Sequence, residues 1–259
     1  MKSKKNVFLL ILVLSIGLVV GCGSNDPDYA DEDFLNAMAK GLEARWDIPE
    51  TEVEAGSKED LEQSTEWVDA ELNEVQEYTN ATFEDTKLQE LAIEYINLLK
   101  QQKEALDYLT TDYDKYYDLW QEAYEQRTKV ITEINNRYEL PIDSEYADVL
   151  KEMATEAKGV EDQEQLEKDI EKMLADAKLK KQESYGNYEC TLTVTNITGE
   201  EFSDFETQIN FLDKDGAVVE STSDWVNNWN PDTTVKFNFF LNSDFDKYEV
   251  EAGIYNLSN

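Results

Sequence analysis

The sequence predicts an α+β protein, an elongated all-α helical bundle followed by a small antiparallel β-sandwich. Apolar residues recur every three or four positions over residues 31–183, which is the period of a helix with one buried face. Over residues 187–255 the period changes to two, and Thr, Val, Phe, Asn and Trp replace the helix formers. Because the helices come first and the strands afterwards, the elements do not alternate as in a parallel α/β fold.

The first 21 residues have the pattern of a secretory signal peptide. Three lysines precede an apolar run from Val7 to Val20, which is shorter than the roughly 20 apolar residues that span a bilayer. The run ends at Gly21-Cys22, and small residues before a cysteine at this place resemble a bacterial lipobox. The resemblance implies that residues 1–21 are removed and that Cys22 is lipidated. The alternative is an ordinary secretory signal in which the cysteine stands by chance. We expect residues 22–30 to tether the protein to the extracellular face of the cell membrane.

Two helices are predicted at the start of the helical domain. The first begins at Asp31 and ends before Pro49. The second covers Lys58 to Tyr78, with Ser57 as its N-cap. The apolar positions expected to face the core are Leu35, Met38, Leu42 and Trp46 in the first helix, and Leu61, Trp67, Val68, Leu72 and Val75 in the second.

Residues 83–138 contain neither Gly nor Pro, and their apolar positions keep one phase throughout. This pattern predicts one long helix, bent near Thr110–Asp112 and roughly 80 Å long at 1.5 Å per residue. Gln102 and Arg127 interrupt the apolar seam, which favours packing within one chain over a dimeric coiled coil. Two more helices are expected near Ser144–Ala157 and Asp162–Gln182, separated by the sequence GVEDQEQ.

A set of aromatic residues lies near the middle of the predicted long helix. Packing against neighbouring helices is the favoured interpretation, and an aromatic surface for a ligand is the alternative. The set consists of Tyr108, Tyr113, Tyr116, Tyr117, Trp120 and Tyr124.

The last part of the chain predicts five to seven short strands joined by turns such as DKDG and NPDTT. Residues 187–255 resemble the FxLYD domain, an immunoglobulin-like module of Gram-positive and archaeal envelope proteins. The resemblance rests on TVTNITGEEFSDFETQINFLDKDGAVVE and WNPDTTVKFNF, and Ile209 and Asp213 stand at the ends of the segment that names the family. It implies a β-sandwich and no catalytic residues. The apolar faces are Phe205, Thr207, Ile209 and Phe211; Val235, Phe237, Phe239 and Leu241; and Tyr248, Val250, Ala252 and Ile254.

The amino-acid composition excludes most of the common catalytic mechanisms. The chain has no histidine, which excludes Ser-His-Asp and Cys-His catalysis and histidine-rich metal sites. Cys190 is expected on the buried face of a strand, where cysteine acts as a small apolar residue. Asp213 to Gly216 favours a hairpin turn over a calcium loop. The sequence therefore predicts no cofactor, no metal and no enzymatic activity, although 58 Asp and Glu residues leave carboxylate chemistry available.

The net charge of −35 makes nucleic acid and anionic lipid headgroups poor partners. We expect a non-enzymatic binding or structural module in the envelope of a Gram-positive cell, attached by its lipid and contacting another envelope protein or polymer. The end of the sandwich near Trp225, Trp229 and Asn230 is a candidate contact surface, and packing of both tryptophans in the core is the equal alternative. A solute-binding lipoprotein of a transporter and a carboxylate-based wall-polymer hydrolase are the alternative functions.

The lipobox generates the first testable prediction. Cells grown with a labelled fatty acid should transfer the label to the protein, and Cys22→Ser should abolish both labelling and membrane retention. The lipobox resemblance implies a diacylglyceryl group on Cys22, which has two acyl chains. Two chains anchor a protein durably, whereas a single chain binds only marginally. An unlabelled wild-type protein, or a Cys22→Ser variant that stays in the membrane fraction, would contradict the prediction.

Overall fold

A computed structural model describes residues 29–258, and it has the predicted α+β architecture. The signal segment and Cys22 lie outside the described residues. Five α-helices come first: α1 (Asp31–Trp46), α2 (Lys58–Val75), α3 (Thr86–Leu109), α4 (Tyr113–Tyr138) and α5 (Ala147–Ala175). Six strands follow: β1 (Lys178–Ser184), β2 (Asn187–Thr195), β3 (Phe202–Leu212), β4 (Val218–Trp229), β5 (Thr234–Leu241) and β6 (Lys247–Leu257). None of the helices in this part of the chain is long and apolar enough to cross a membrane.

The first two helices form an antiparallel pair close to the prediction. Ser57 caps α2 by accepting a hydrogen bond from the Asp60 backbone N–H at 3.1 Å. The α2 helix ends at Val75 instead of Tyr78, and a 3-10 turn over Gln76–Asn80 follows it. The start of α1 is fixed to the segment before α3, because the Asp31 carboxylate accepts hydrogen bonds from two backbone N–H groups there, at 2.8 and 2.9 Å.

The single helix predicted over residues 83–138 is wrong. The chain reverses at Thr110–Asp112, so that α3 and α4 form a helical hairpin. Asp112 leaves the helical conformation, and its side chain caps α4 by accepting from the Lys115 backbone N–H. The apolar seams of α3 and α4 both contribute to the interior of the bundle, so the apolar phase continues through the turn. Leu109 of α3 and Tyr116 of α4 lie in one small apolar cluster next to this turn. A continuous phase therefore cannot distinguish one long helix from a hairpin.

The two helices predicted after Pro141 are also wrong, since α5 is continuous through GVEDQEQ. Residues 178–183, expected to be helical, lie in strand β1 and pair with β2. Residues 184–186, which separate the two predicted domains, contain the two-residue turn of the β1–β2 hairpin. Tyr185 and Gly186 have φ angles of 54° and 80°, as a type I′ hairpin turn requires. Strand pairing has overridden the helix propensity of the lysines here.

The strands form two antiparallel three-stranded sheets, with orders β1-β2-β5 and β4-β3-β6. The apolar faces predicted on β3 and β5 point into the shared core, where Phe205, Ile209, Phe237 and Phe239 are buried. On β6 the prediction fails at both ends, since Tyr248 is 40% exposed and only Val250 and Ala252 of the predicted face pack on the core. A register shift near Phe205 makes Tyr255 pack on this core, whereas Ile254 is 64% exposed.

Helix α5 belongs to both domains. Its N-terminal half contributes Met153 to the core of the helical bundle. Its C-terminal half contributes Leu166, Ile170, Met173 and Leu174 to the core of the sandwich. A helix of 29 residues is about 43 Å long, so it connects the two cores without a break. The opposite side of the sandwich is closed by β4, where Asp224 accepts a hydrogen bond from the Asn238 backbone N–H at 2.8 Å.

Two helical glycines give a matched test of this packing. Gly159 lies within α5, and a methyl group there would meet no atom within 4 Å. Gly159→Ala should therefore raise the free energy of unfolding by about 0.5–1 kcal/mol, because alanine has the better helix propensity. At Gly41 of α1 a methyl carbon would lie 3.0 Å from the Glu71 Cα atom. Gly41→Ala should lower the free energy of unfolding by about 1–3 kcal/mol through overpacking.

Urea unfolding of both variants measures this difference. The same sign for both substitutions would contradict either the continuous α5 helix or the close approach of α1 to α2.

Candidate functional site

The carboxylate of Glu71 is the meeting point of four helices. Glu71 lies on α2 and is fully buried, and its two oxygens accept hydrogen bonds from side chains of α1, α3 and α4. Arg127 donates to both oxygens, with its Nε atom 3.0 Å from Oε2. Arg45 donates from Nη1 to Oε1 at 2.8 Å, and the Tyr95 hydroxyl donates to Oε2. Residues from distant parts of the sequence thus share one buried anion.

Local packing places Glu71 at this point. It lies on the same face of α2 as Val68, Leu72 and Val75, which are buried in the bundle. Gly41 permits α1 to approach the backbone of α2 directly at Glu71. The close approach also brings Arg45, one helical turn after Gly41, within reach of the carboxylate.

The cluster carries one more positive than negative charge. Burial alone would raise the pKa of the Glu71 carboxyl, but Arg127 and Arg45 hold that pKa below its ordinary value, so the group is ionised. Burial and the neighbouring carboxylate raise the pKa of Tyr95 well above its ordinary value, so its hydroxyl keeps its proton and is neutral. Two guanidinium groups therefore face a single carboxylate. Burial and repulsion from Arg127 lower the pKa of Arg45, whereas Glu71 and Tyr95 outweigh burial and raise the pKa of Arg127.

A cleft of about 510 Å³ opens beside the two arginines. Arg127 is 1% exposed and the Arg45 side chain is 12% exposed, so Arg45 is the arginine that a ligand in the cleft could reach. Within the described part of the chain, Arg45 makes one side-chain hydrogen bond, which leaves other N–H donors of its guanidinium available. The remaining cleft residues are aromatic (Trp46, Trp67, Tyr124), apolar (Ile48, Pro49, Val149, Met153) and acidic (Glu50, Glu152, Glu156).

The sequence left two interpretations of the aromatic residues of α4, packing against neighbouring helices and a surface for a ligand. The structure shows both kinds of position. Tyr116 is buried, and burial raises its pKa to about 12. Tyr113 and Tyr117 are 43% and 54% exposed. Tyr124 lines the cleft, and its hydroxyl donates to Glu156 at 3.1 Å. The aromatic set therefore lies partly in the core, through Tyr116, and partly on the surface. One member, Tyr124, belongs to the candidate site.

Gln102 and Arg127, the two polar residues in the predicted apolar seam, have different surroundings in the structure. Arg127 is the principal partner of Glu71, so its place in the seam marked the buried cluster. Gln102 is also fully buried, and neither its amide oxygen nor its amide nitrogen has a hydrogen-bond partner among the described residues. A buried polar group of this kind costs about 1–3 kcal/mol.

Only one of the two tryptophans at the predicted contact surface is exposed. Trp225 is 50% exposed, whereas Trp229 is buried and packs against Phe202, Phe205 and Phe237. Its indole N–H donates to the Thr233 carbonyl at 3.0 Å. Both tryptophans and the three residues between them lie in strand β4 and not at the end of the sandwich beyond it.

The remaining sequence candidates have structural roles. Cys190 is buried as predicted, and burial raises the pKa of its thiol, which disfavours the thiolate. Asp213 lies in the β3–β4 turn, and its side chain accepts from two backbone N–H groups at 2.9 Å. Over residues 29–258, no group of three or more His, Cys, Asp or Glu side chains is placed to hold a metal ion.

Comparison of the chain with protein-family models, with curated proteins and with solved structures found no match. The resemblance of residues 187–255 to the FxLYD domain stays a prediction.

The charge imbalance generates a stability prediction. Glu71→Gln leaves Arg45 and Arg127 buried without a counter-charge, and should lower the free energy of unfolding by about 3–5 kcal/mol. Arg45→Gln keeps the Glu71–Arg127 pair and removes the repulsion between the arginines, so the loss should be about 1 kcal/mol, less than a charged hydrogen bond is worth by itself. Urea unfolding at neutral pH measures both values, and equal losses would contradict the assignment.

The pH dependence of the free energy of unfolding tests whether the charge of Glu71 causes this loss. The folded pKa of Glu71 lies below its ordinary value of 4.5, so its carboxylate stabilises the fold above that pH and loses this effect as the pH falls further. The difference between wild type and Glu71→Gln should therefore shrink below pH 4.5. A constant difference would mean that the charge of Glu71 does not matter.

Proposed function

We propose that this protein is a lipid-anchored, non-enzymatic binding module on the extracellular face of the cell membrane, and that the Arg45 cleft is its ligand site. The observation that carries the proposal is the second guanidinium beside Glu71. Its charge is not balanced within the cluster, and it reaches a cleft whose volume is typical of small-molecule sites.

The lining of the cleft indicates the chemistry of its ligand. A carboxylate suits the available donors of Arg45, because guanidinium groups bind carboxylates through paired hydrogen bonds. A ligand with only negative charge would be repelled by Glu50, Glu152 and Glu156. A ligand that carries an ammonium group as well satisfies both sets of charges. Trp46 and Trp67 add apolar walls, so the ligand class is a zwitterion with an apolar or aromatic side chain, such as a peptide of an envelope protein or polymer.

The carboxyl groups favour binding over hydrolysis. A glycosidase needs one acid whose pKa is raised, so that it can donate a proton. In the part of the chain that the structure describes, each carboxyl group with a shifted pKa has it lowered, because hydrogen bonds or neighbouring cations favour the ionised form. These groups are Glu71, Asp85, Glu164, Glu206 and Asp244.

The transporter alternative finds less support in the architecture. Solute-binding proteins of transporters commonly hold their ligand between two α/β lobes. Here the strands are all antiparallel and belong to one sandwich, and the cleft lies among α1, α2, α4 and α5.

Tryptophan fluorescence tests the proposal, since Trp46 and Trp67 line the cleft. The probe is an alanyl-phenylalanine dipeptide with free termini, titrated into the full-length protein in nanodiscs of zwitterionic lipid. Wild type should show a saturable change, and Arg45→Gln should weaken binding about 10-fold or more, the value of one charged hydrogen bond. The N-acetyl and C-amide forms of the dipeptide should bind more weakly than the free form.

Lys40→Gln is the matched control. It removes the same charge from α1, but Lys40 is an exposed partner of Glu74 and does not line the cleft. Its affinity should equal that of wild type. Equal binding of the free dipeptide and its C-amide, or equal loss in both variants, would refute the cleft as a carboxylate site.

A further inference from the structure

The outer face of the β1-β2-β5 sheet differs in charge from the rest of the protein. Its strand register places Lys178, Thr193 and Lys236 in one row across the three strands. The next row along the strands is Lys180, Thr191 and Asn238. We call these six residues the lysine face. All three lysines are exposed, whereas the alternate residues of the same strands, such as Leu192 and Phe237, lie in the core.

The lysine face contains no carboxylate, although the chain has 58 acidic residues. Glu189 is the acidic residue in the row beyond, where it pairs with Phe240, which is 71% exposed. None of the three lysines forms an ion pair with any described residue. Three uncompensated cations are thus concentrated on one flat surface of a strongly acidic protein.

Two structural explanations do not account for this composition. Lysines on the edge strands β1 and β5 prevent pairing with other chains, but that purpose does not require all three to share one face in two adjacent rows. Solubility does not require the lysines either, because the net charge of −35 already keeps molecules apart. The clustering of like charges costs free energy unless an anion offsets it.

We propose that the lysine face binds a linear polyanion, a polyol or saccharide polymer with repeated phosphate or carboxylate groups. Lys178 and Lys236 are separated by one strand, which places their backbones about 10 Å apart. Lys178 and Lys180 are two residues apart on β1, or about 7 Å. A narrow chain of anions can contact all three lysines, and the Thr193 hydroxyl between Lys178 and Lys236 offers a hydrogen bond. At the end of the face, Phe240 supplies an apolar surface for a sugar ring.

The width of the face favours a polymer over a bilayer. A flat anionic membrane would also approach acidic residues just outside the face: Glu189 in the next row, and Asp224, whose carboxylate accepts from the Asn238 backbone N–H. These lie within about a Debye length of 8 Å, so their repulsion would oppose the attraction of the lysines. A thin polymer can follow the two rows and avoid the acidic surroundings. This site is on the sandwich and is independent of the Arg45 cleft.

The experiment uses the full-length protein in nanodiscs of zwitterionic lipid, with linear polyphosphate as the probe. Binding is measured by microscale thermophoresis at several salt concentrations. The test variant is the triple substitution Lys178→Gln, Lys180→Gln and Lys236→Gln. The control variant is Lys58→Gln, Lys151→Gln and Lys168→Gln, which makes the same change in net charge at exposed positions of the helices.

Wild type and control should bind polyphosphate alike, and the test variant should lose about 10-fold or more in affinity at low salt. The logarithm of the wild-type affinity should fall with the logarithm of the salt concentration with a slope of about −2, as three contacts predict, and the slope should be near zero for the test variant. Arg45→Gln should bind polyphosphate like wild type, which separates this proposal from the function of the cleft.

Three results would overturn the proposal. The first is an equal loss in the control variant, which would make binding an effect of net charge. The second is binding of anionic vesicles but not of polyphosphate, which would assign the face to the membrane. The third is a wild type that binds neither. If the triple variant loses its cooperative melting transition, Lys236→Gln alone decides, because it should reduce the salt slope by about 0.7 while Lys168→Gln leaves it unchanged.

Discussion

The helical domain depends on one buried carboxylate. Glu71 has no exposed surface, and α1, α3 and α4 each supply a hydrogen-bond donor to it. An ion pair in the interior is not in itself strongly stabilising, since desolvation offsets much of the attraction. Its effect is on specificity. An arrangement of the four helices that separates Glu71 from Arg127 would leave both charges buried without a partner, so the cluster disfavours such arrangements.

The same cluster explains why the cleft has a charged base. One carboxylate can neutralise one guanidinium, and Arg127 takes that role by contacting both of its oxygens. Arg45 completes the coordination of Glu71 but keeps its charge and some of its exposure. A purely structural pair would need no second arginine. The second arginine therefore links the interaction that holds the bundle together to the surface that we propose binds a ligand.

The sequence predicted features that depend on neighbouring residues and missed features that depend on distant ones. The order of helices and strands, the cap at Ser57 and the buried positions of β3 follow from local period and propensity. The reversal at Asp112 could not be predicted from an apolar phase that both arrangements share. Strand β1 forms because β2 lies beside it. Glu71 was one of 58 acids, and the only sign of its cluster was Arg127 within an apolar seam.

Helix α5 determines how the two domains relate to each other. Val149, Met153 and Glu156 from its first half line the Arg45 cleft, while Leu166 and Ile170 from its second half pack in the sandwich. The strand that carries Lys178 and Lys180 begins three residues after this helix ends. A continuous helix transmits position along its whole length, because each turn is hydrogen-bonded to the next. The cleft and the lysine face are therefore held by one rigid element, and a ligand at either surface contacts a body whose other surface is already oriented.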